Sequence, residues 1–466
     1  MSSTNTTSSP QNQFPPTHQN NPNPKCKPLY VLCSSALLTL LLAFLLQNHH
    51  QLTTLLFPQK QALPLPISTR PPCVLWMAPF LSPGGYSSEA WSYISSLSTT
   101  NITLNIHHHA DSLSLHFWQG LPENLKSLAY KLHRTTAECA LRETIVVCHS
   151  EPGAWYPPLY QTPPCPPTGY NDPLFVVGRT MFETDRLTPG HVQRCNRMGA
   201  VWVPTEFHVK TFVRSGVDRS KVVKLVQPVD VDFFDPSEHE ALVLPGGSTG
   251  DEFVFLSVFK WEHRKGWDVL MRAFLEEFSR SDGVALYLLV SAYHSDTDFR
   301  TKVASFIQGI GVEEPADGWA PFHVIDTHVP QVDLPGLYKA ADAFVLPSRG
   351  EGWGRPIVEA MAMGLPVIAT NWSGMTEYLT EENGYPLRVG RTSEVTEGPF
   401  EGHRWAEPSS NELRVLMRHV ASNREEGRKK GRRAREDMIE RFSPEVVARL
   451  LAGEIMKIWK KSHGEE

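Results

Sequence analysis

The sequence predicts an α/β chain of two nucleotide-binding-type halves, each a parallel sheet covered by helices, with one membrane-spanning helix ahead of them. Three observations predict it. From Cys73 onward, short β-branched runs alternate with amphipathic helical patterns, which is the signal of parallel strands covered on both faces. The same alternation restarts near Phe253 after a polar, proline-containing stretch. Ahead of both halves, Leu29 to Leu46 (LYVLCSSALLTLLLAFLL) runs 18 residues without a charge. At 1.5 Å rise this gives about 27 Å of helix, close to the hydrocarbon thickness of a bilayer.

Residues 1–28 are rich in Ser, Thr, Asn, Pro and Gln and bury too little apolar surface to fold, so a disordered tail is expected there. Residues 29–46 are the expected anchor. A cleavable signal peptide is the competing reading, but the polar region ahead is long and no small-x-small cleavage site follows. Lys25 and Lys27 precede the span, and the nearest firm positive charge after it is Lys60. The positive-inside rule then leaves the N-terminus cytosolic and the rest lumenal, as in a single-pass type II protein of the Golgi or endoplasmic reticulum. Residues 47–72, proline-rich and without periodicity, read as a stem.

In the first half, residues 73–228, strands are expected at 74–80, 102–106, 144–148, 175–177 and 200–203, with Ser82-Pro-Gly-Gly85 after the first and a helix from Ser87. The second half, residues 229–440, carries strands at 253–259, 285–290, 322–325 and 343–346. A helix after the first of these presents Val269, Leu270, Ala273, Phe274 and Phe278 as one apolar stripe, and another spans 334–341.

The net charge of 44 − 50 = −6 argues against nucleic acid as a partner. The basic run REEGRKKGRRAR at 424–435 is interrupted by acids and reads as a solvated helix face. Seven cysteines show no zinc spacing, and five of them lie between Cys73 and Cys195, where one or two disulfides are permitted without their pairing being readable. Asn101-Ile-Thr103 is a glycosylation sequon; Asn371-Trp-Ser373 also matches but falls in the expected cleft. His107, His108 and His109 cannot all face one ion from a strand and read as surface. Asp230-Val-Asp232 and Asp296-Thr-Asp298 spell Asp-x-Asp, a pattern too short to establish a metal site without supporting context.

The most informative stretch is Ser348-Arg-Gly-Glu351-Gly-Trp-Gly-Arg355-Pro-Ile-Val-Glu359-Ala, after the apolar strand 343–346. Two carboxylates stand eight residues apart across a glycine-rich loop and a helix start. Pro356 suits the first helical position, and Gly364 suits a left-handed cap at the end. Gly352 and Gly354 would let the backbone approach a ligand, with free N–H groups directed at an anion such as a diphosphate. Glu351 in the loop and Glu359 in the first helical turn would both accept bonds from hydroxyls, so the stretch reads as a sugar-nucleotide site.

This stretch resembles the E-x7-E element of the retaining glycosyltransferases of family 4, typically E-G-F-G-x-P-x-x-E-A, with Trp353 for the usual Phe. Leu365 to Gly374 is similar to that family's next strand and glycine loop, and Phe182-Glu-Thr-Asp-Arg186 with Cys195 to Phe207 to the end of its acceptor-side domain. The chain is thereby identified as a plant-type, membrane-anchored member of the group. The resemblance implies a GT-B fold, two Rossmann-like domains facing a cleft, with a C-terminal helix over 441–466 crossing back to the first domain. It implies transfer of a hexose from a UDP- or GDP-linked sugar to a hydroxyl acceptor on a glycan, lipid or protein, with retention. Glu351 would then contact the transferred sugar and Glu359 the ribose.

Lys260-Trp-Glu-His-Arg-Lys265-Gly266 stands where the family shows G-R-x-x-x-x-K-G, whose Arg and Lys neutralise the departing diphosphate. Lys265 matches, whereas Phe259 and Lys260 replace Gly-Arg, so Lys260 or Arg264 would have to serve. Gly84 and Gly85 follow the first strand and would let that loop approach the donor phosphate or the acceptor, and His149 ends a strand where the family often carries a histidine facing the donor sugar. No resident cofactor and no metal are expected, the nucleotide sugar being a substrate. The alternative is an inactive, membrane-anchored relative serving as a scaffold or carbohydrate-binding protein, for which the loss of Gly-Arg is the best support.

Overall fold

The structure, a computed structural model, describes residues 71–134, 139–246, 252–291 and 298–465. The expected tail, the anchor and nearly all of the stem lie outside the described residues. Among those described, no helix is long and apolar enough to cross a membrane. Residues 71–466 form one compact unit.

Each half builds a six-stranded, wholly parallel sheet. The first holds β1 (Cys73–Ala78), β2 (Thr103–His108), β3 (Thr144–His149), β4 (Phe175–Arg179), β5 (Ala200–Val203) and β6 (Val222–Lys224), in the spatial order β2-β1-β3-β4-β5-β6. The second holds β7 (Phe253–Lys260), β8 (Val284–Ser291), β9 (Phe322–Ile325), β10 (Ala343–Leu346), β11 (Val367–Thr370) and β12 (Tyr385–Leu387). Its order is β12-β11-β10-β7-β8-β9, the doubly wound arrangement in which the chain reverses direction between β7 and β10. Central strands such as β3 and β10 are buried along their whole length, which is why they read as unbroken apolar runs.

The strands expected from sequence are present, those at 200–203, 322–325 and 343–346 with the expected bounds and the others with shifted ends. The short edge strands β6 and β12, three residues each, escape a reading that depends on periodicity. So does an antiparallel hairpin of β13 (Thr392–Glu394) and β14 (Arg404–Ala406) that stands outside both sheets. Helix α1 (Gly85–Leu97) follows β1, and α2 (Trp267–Glu277) follows β7 with Val269, Leu270, Ala273 and Phe274 buried. Helix α3 (Leu334–Lys339) precedes β10, and α4 (Arg355–Ala362) follows it.

Two glycines are required by contact. Gly364 takes φ +73° just beyond the end of α4, closing it in the left-handed conformation. Gly431 lies inside α5 (Arg424–Phe442), where a Cβ would fall 2.0 Å from the Gly364 carbonyl oxygen, so α5 packs directly on that cap. The basic run on α5 is only partly a solvated face. Arg435 turns inward, donates to the Phe234 and Ala362 carbonyls at 2.9 and 2.6 Å, and pairs with Asp235 at 2.6 Å. Helix α6 (Pro444–Ser462) leaves this lobe and places Val447, Leu451, Ile455 and Trp459 in the core of the first.

Disulfides join Cys73 to Cys139 and Cys148 to Cys165, while Cys195 is a buried free thiol. The histidine triplet divides: His107 is exposed, whereas His109 is fully buried and bonded through Nδ1 to the Pro163 carbonyl at 2.7 Å. The reading of all three as surface is corrected, because His109 follows the last residue of β2 and turns under the loop at 150–165.

Candidate functional site

The site forms at the carboxyl ends of the strands where their order reverses between β7 and β10, the place where open α/β sheets bind ligands. Two loops meet there, Trp261–Gly266 after β7 and Pro347–Gly354 after β10. Gly266, at φ +69°, makes their contact possible, since a Cβ there would lie 2.0 Å from the Pro347 carbonyl oxygen. The Arg349 amide donates to the Arg264 carbonyl at 2.6 Å. The buried Arg349 guanidinium locks the junction, meeting Asp268 at 2.8 Å and Glu407 at 2.9 Å.

Glu351 is at the centre. Lys265 Nζ donates to its two carboxylate oxygens at 2.8 and 2.9 Å, and Arg264 approaches at 3.2 Å. Burial would raise the Glu351 pKa, but Lys265 and Arg264 outweigh it, so the carboxyl is held below its usual range and ionised. Arg264 also donates to the Gly350 carbonyl at 2.6 Å and to Glu262 at 3.2 Å, and stands 3.8 Å from Glu183 of the opposite lobe. Burial works against its charge, and those carboxylates more than restore it. Glu183 is the converse case: burial raises its pKa, with Glu351 and Glu262 adding to the effect against Arg264 and Lys265.

Glu359 is the fifth residue of α4, one turn beyond the first-turn position expected for it. Its Oε2 accepts from the Tyr338 hydroxyl at 3.0 Å, and its Oε1 lies 3.7 Å from Arg355 Nε. Burial raises its pKa, opposed by Arg355 and the tyrosine hydrogen bond. The glycines of the loop act differently from expectation. A Cβ on Gly352 would meet Met181 of the first lobe at 2.5 Å, and one on Gly350 the Glu183 carbonyl oxygen at 2.4 Å. Their smallness therefore admits the facing lobe. Gly354 is needed for its backbone, at φ +91° immediately before α4.

From the first lobe, Gly84 and Gly85 begin α1 and border open space: a Cβ at either would meet nothing within 4 Å, so no steric contact requires glycine there. Lys260 ends β7 with an exposed side chain and makes no ion pair with a described residue. The expectation that His149 faces a donor sugar is not met in this conformation. The ring is fully buried, Trp76 Nε1 donates to its Nδ1 at 3.0 Å, and its Nε2 lies 3.0 Å from Glu89. Tryptophan only donates, so Nδ1 accepts and the ring proton sits on Nε2, pointing at Glu89. Burial holds the imidazole pKa below normal despite that carboxylate.

Glu89 and its partner Arg179 carried no signal in the sequence. Both are fully buried, with Arg179 Nε 2.8 Å from Glu89 Oε1, so the pair joins α1 to the end of β4, and Glu89 also reaches His149 at the end of β3. Sequence reading also missed the strap between the lobes. The Asp185 amide donates to the Arg404 carbonyl at 2.9 Å, the Arg404 amide returns a bond to the Asp185 carboxylate at 2.7 Å, and His403 meets Thr184 at 3.0 Å. Residues 183–186 do lie in the stretch singled out by resemblance. One aspartate of each Asp-x-Asp spelling has a local role: Asp230 accepts from the Phe233 amide at 3.0 Å and Asp298 from the Thr301 amide at 3.2 Å, while Asp296 lies outside the described residues.

Residues 250–397 match the family profile described as Glycosyl transferases group 1. Among curated proteins, the chain is 31% identical over 161 residues to D-inositol 3-phosphate glycosyltransferase 1 of Catenulispora acidiphila, covering 33% of this chain and 36% of that one. It is 30% identical over 125 residues to mannosylfructose-phosphate synthase of Agrobacterium fabrum, 26% of each chain. The chain thus aligns with well under half the length of these relatives. Among solved structures, sucrose-phosphate synthase of Thermosynechococcus elongatus superposes with a TM-score of 0.58 at 15% identity, covering 84% of this chain and all of that one. Anabaena HepE, solved in complex with UDP, gives 0.56 at 16% identity, covering 83% and 100%. The chain therefore has the GT-B fold, two parallel-sheet lobes, and over residues 250–397 it carries the pattern of the group 1 glycosyltransferases.

Proposed function

We propose that this protein transfers a hexose from a UDP- or GDP-linked sugar to a hydroxyl acceptor on a glycan, lipid or protein, with retention of configuration. The observation that carries the reading is the ionised Glu351 held between Lys265 and Arg264 at the strand-order reversal, with Glu359 following it on α4. Similarity to glycosyltransferases over residues 250–397 supports it, as does the UDP complex of a protein sharing the fold.

In this reading the bond between C1 and the β-phosphate oxygen breaks, its electron pair staying on the phosphate. Lys265 and Arg264 stabilise the charge that develops there, where preorganised cations lower the barrier most. The acceptor oxygen bonds to C1 from the same face, and its proton passes to the departing phosphate. Glu351 orients the sugar and Glu359 the ribose. No protein nucleophile and no metal enter this scheme. Residues 29–46 anchor the protein as a single-pass type II membrane protein of the Golgi or endoplasmic reticulum. The two disulfides of the first lobe and the exposed sequon residue Asn101 fit an oxidising lumen.

A panel of nucleotide sugars tests the proposal. One of them should raise the melting temperature by binding the folded state and be slowly hydrolysed. A panel in which none stabilises the protein and none is consumed would leave the scaffold reading in its place.

A further inference from the structure

Arg355 occupies the variable position of the motif, between the two glutamates, and its role is not given by the pattern around it. As the first residue of α4 it stands one turn ahead of Glu359, with Nε 3.7 Å from that carboxylate. Its Nη1 is buried and has no hydrogen-bond partner among the described residues. A guanidinium N–H removed from water without an acceptor is costly, so buried ones are normally paired. The other cations of the cleft are committed: Arg264 to Gly350, Glu262 and Glu351, Lys265 to Glu351, and Arg349 to Asp268 and Glu407.

We infer that Arg355 binds the diphosphate of the donor and adds a guanidinium to the cations Lys265 and Arg264 at a site where Phe259-Lys260 replaces Gly-Arg. The inference rests on the nucleotide-sugar reading above and assigns one more residue to that site. With the ribose at Glu359 and the sugar at Glu351, the diphosphate lies between them, which is where Arg355 stands in the chain. A planar guanidinium can bond two phosphate oxygens at once, whereas Lys260, exposed at the end of β7, offers a single point charge.

The test is ligand binding to the full chain with chelator present, using UDP, GDP, uridine and guanosine as probes. Arg355→Ala should weaken binding of the preferred nucleoside diphosphate about tenfold to hundredfold and leave the nucleoside unchanged. Arg355→Lys should recover only part of the loss, and Lys260→Ala should cost less than Arg355→Ala. Thermal melting separates a binding defect from misfolding, and if Arg355→Ala does not fold, Arg355→Lys supplies the measurement. The inference is overturned if an Arg355 variant binds the diphosphate like the wild type, or loses nucleoside and diphosphate equally. Wild-type protein that binds neither diphosphate would instead overturn the nucleotide-sugar reading, and this inference with it.

Discussion

Lys265 Nζ lies 2.8 and 2.9 Å from the two carboxylate oxygens of Glu351, so the lysine assigned to a phosphate is already neutralised by the glutamate assigned to a sugar. The Arg264 guanidinium completes the cluster at 3.2 Å. A donor entering this crevice must share these cations with Glu351. Cation and carboxylate are therefore coupled in binding as well as in position.

Removal of the Glu351 charge should separate binding from turnover. Glu351→Gln frees Lys265 and Arg264, and nucleoside diphosphate affinity should hold or tighten while kcat falls at least about tenfold, on the scale of one charged hydrogen bond. Lys265→Ala should do the reverse in binding, weakening the diphosphate, and lower kcat by about 10²–10³ as for a lost transition-state donor. Calorimetric titration and steady-state rates on both variants check this. Weakened diphosphate binding in Glu351→Gln would contradict the shared-cation account.

Transfer should survive excess EDTA, because side-chain cations carry the diphosphate in the proposed scheme. Loss of activity on chelation with recovery on adding Mn²⁺ would count against it.

The Glu89–Arg179 pair should be worth far more when broken than when whole. Both side chains are fully buried, and deleting one partner leaves the other's charge without its counterion. Arg179→Ala should destabilise the fold by about 3–5 kcal/mol. Urea unfolding with the slope held constant reads it, and a loss under about 1 kcal/mol would show that water reaches the cluster.

Stability should fall as pH drops below neutrality. Burial pushes His109 down to about 4 and His208 down to about 3, and both rings are fully buried. Between those values and the unfolded value near 6.5, the unfolded chain binds protons that the folded chain refuses. Each histidine then removes up to about 1.4 kcal/mol of stability per pH unit. Below the unfolded carboxylate range near 4.5, Glu89 adds to the loss, because it remains ionised in the folded state down to about 2, with Arg179 and His149 opposing the effect of burial. Denaturant melts at pH 7, 6 and 5 test this, and equal midpoints at all three would refute it.

The two disulfides should contribute unequally. In the chain-entropy account, the bridge spanning 66 residues from Cys73 to Cys139 is worth about 4 kcal/mol and the 17-residue bridge from Cys148 to Cys165 about 3 kcal/mol. Paired Cys→Ser substitutions measured by denaturation give the order, while Cys195→Ala, which breaks no bridge, should leave reduction sensitivity unchanged.

Much of the fold was determined by local pattern. Buried parallel strands such as β3 and β10 announce themselves as apolar runs, and α2 as a 3.6-residue stripe, because burial on a sheet or helix face selects residues at fixed spacing. The spacing of Glu351 and Glu359 and the glycines at 354 and 364 also followed from sequence, since loop, helix start and cap each demand particular residues nearby. Tertiary structure alone decided what lies across the cleft. Gly352 faces Met181, Glu351 engages Lys265, and Asp185 pairs with Arg404 over more than 200 residues of chain. His149, which ends a strand as expected, has both ring nitrogens taken up by Trp76 and Glu89, neither of which its own segment reveals. Periodicity encodes which face of an element is buried; the partner on that face depends on how distant elements pack, and no local spacing records it.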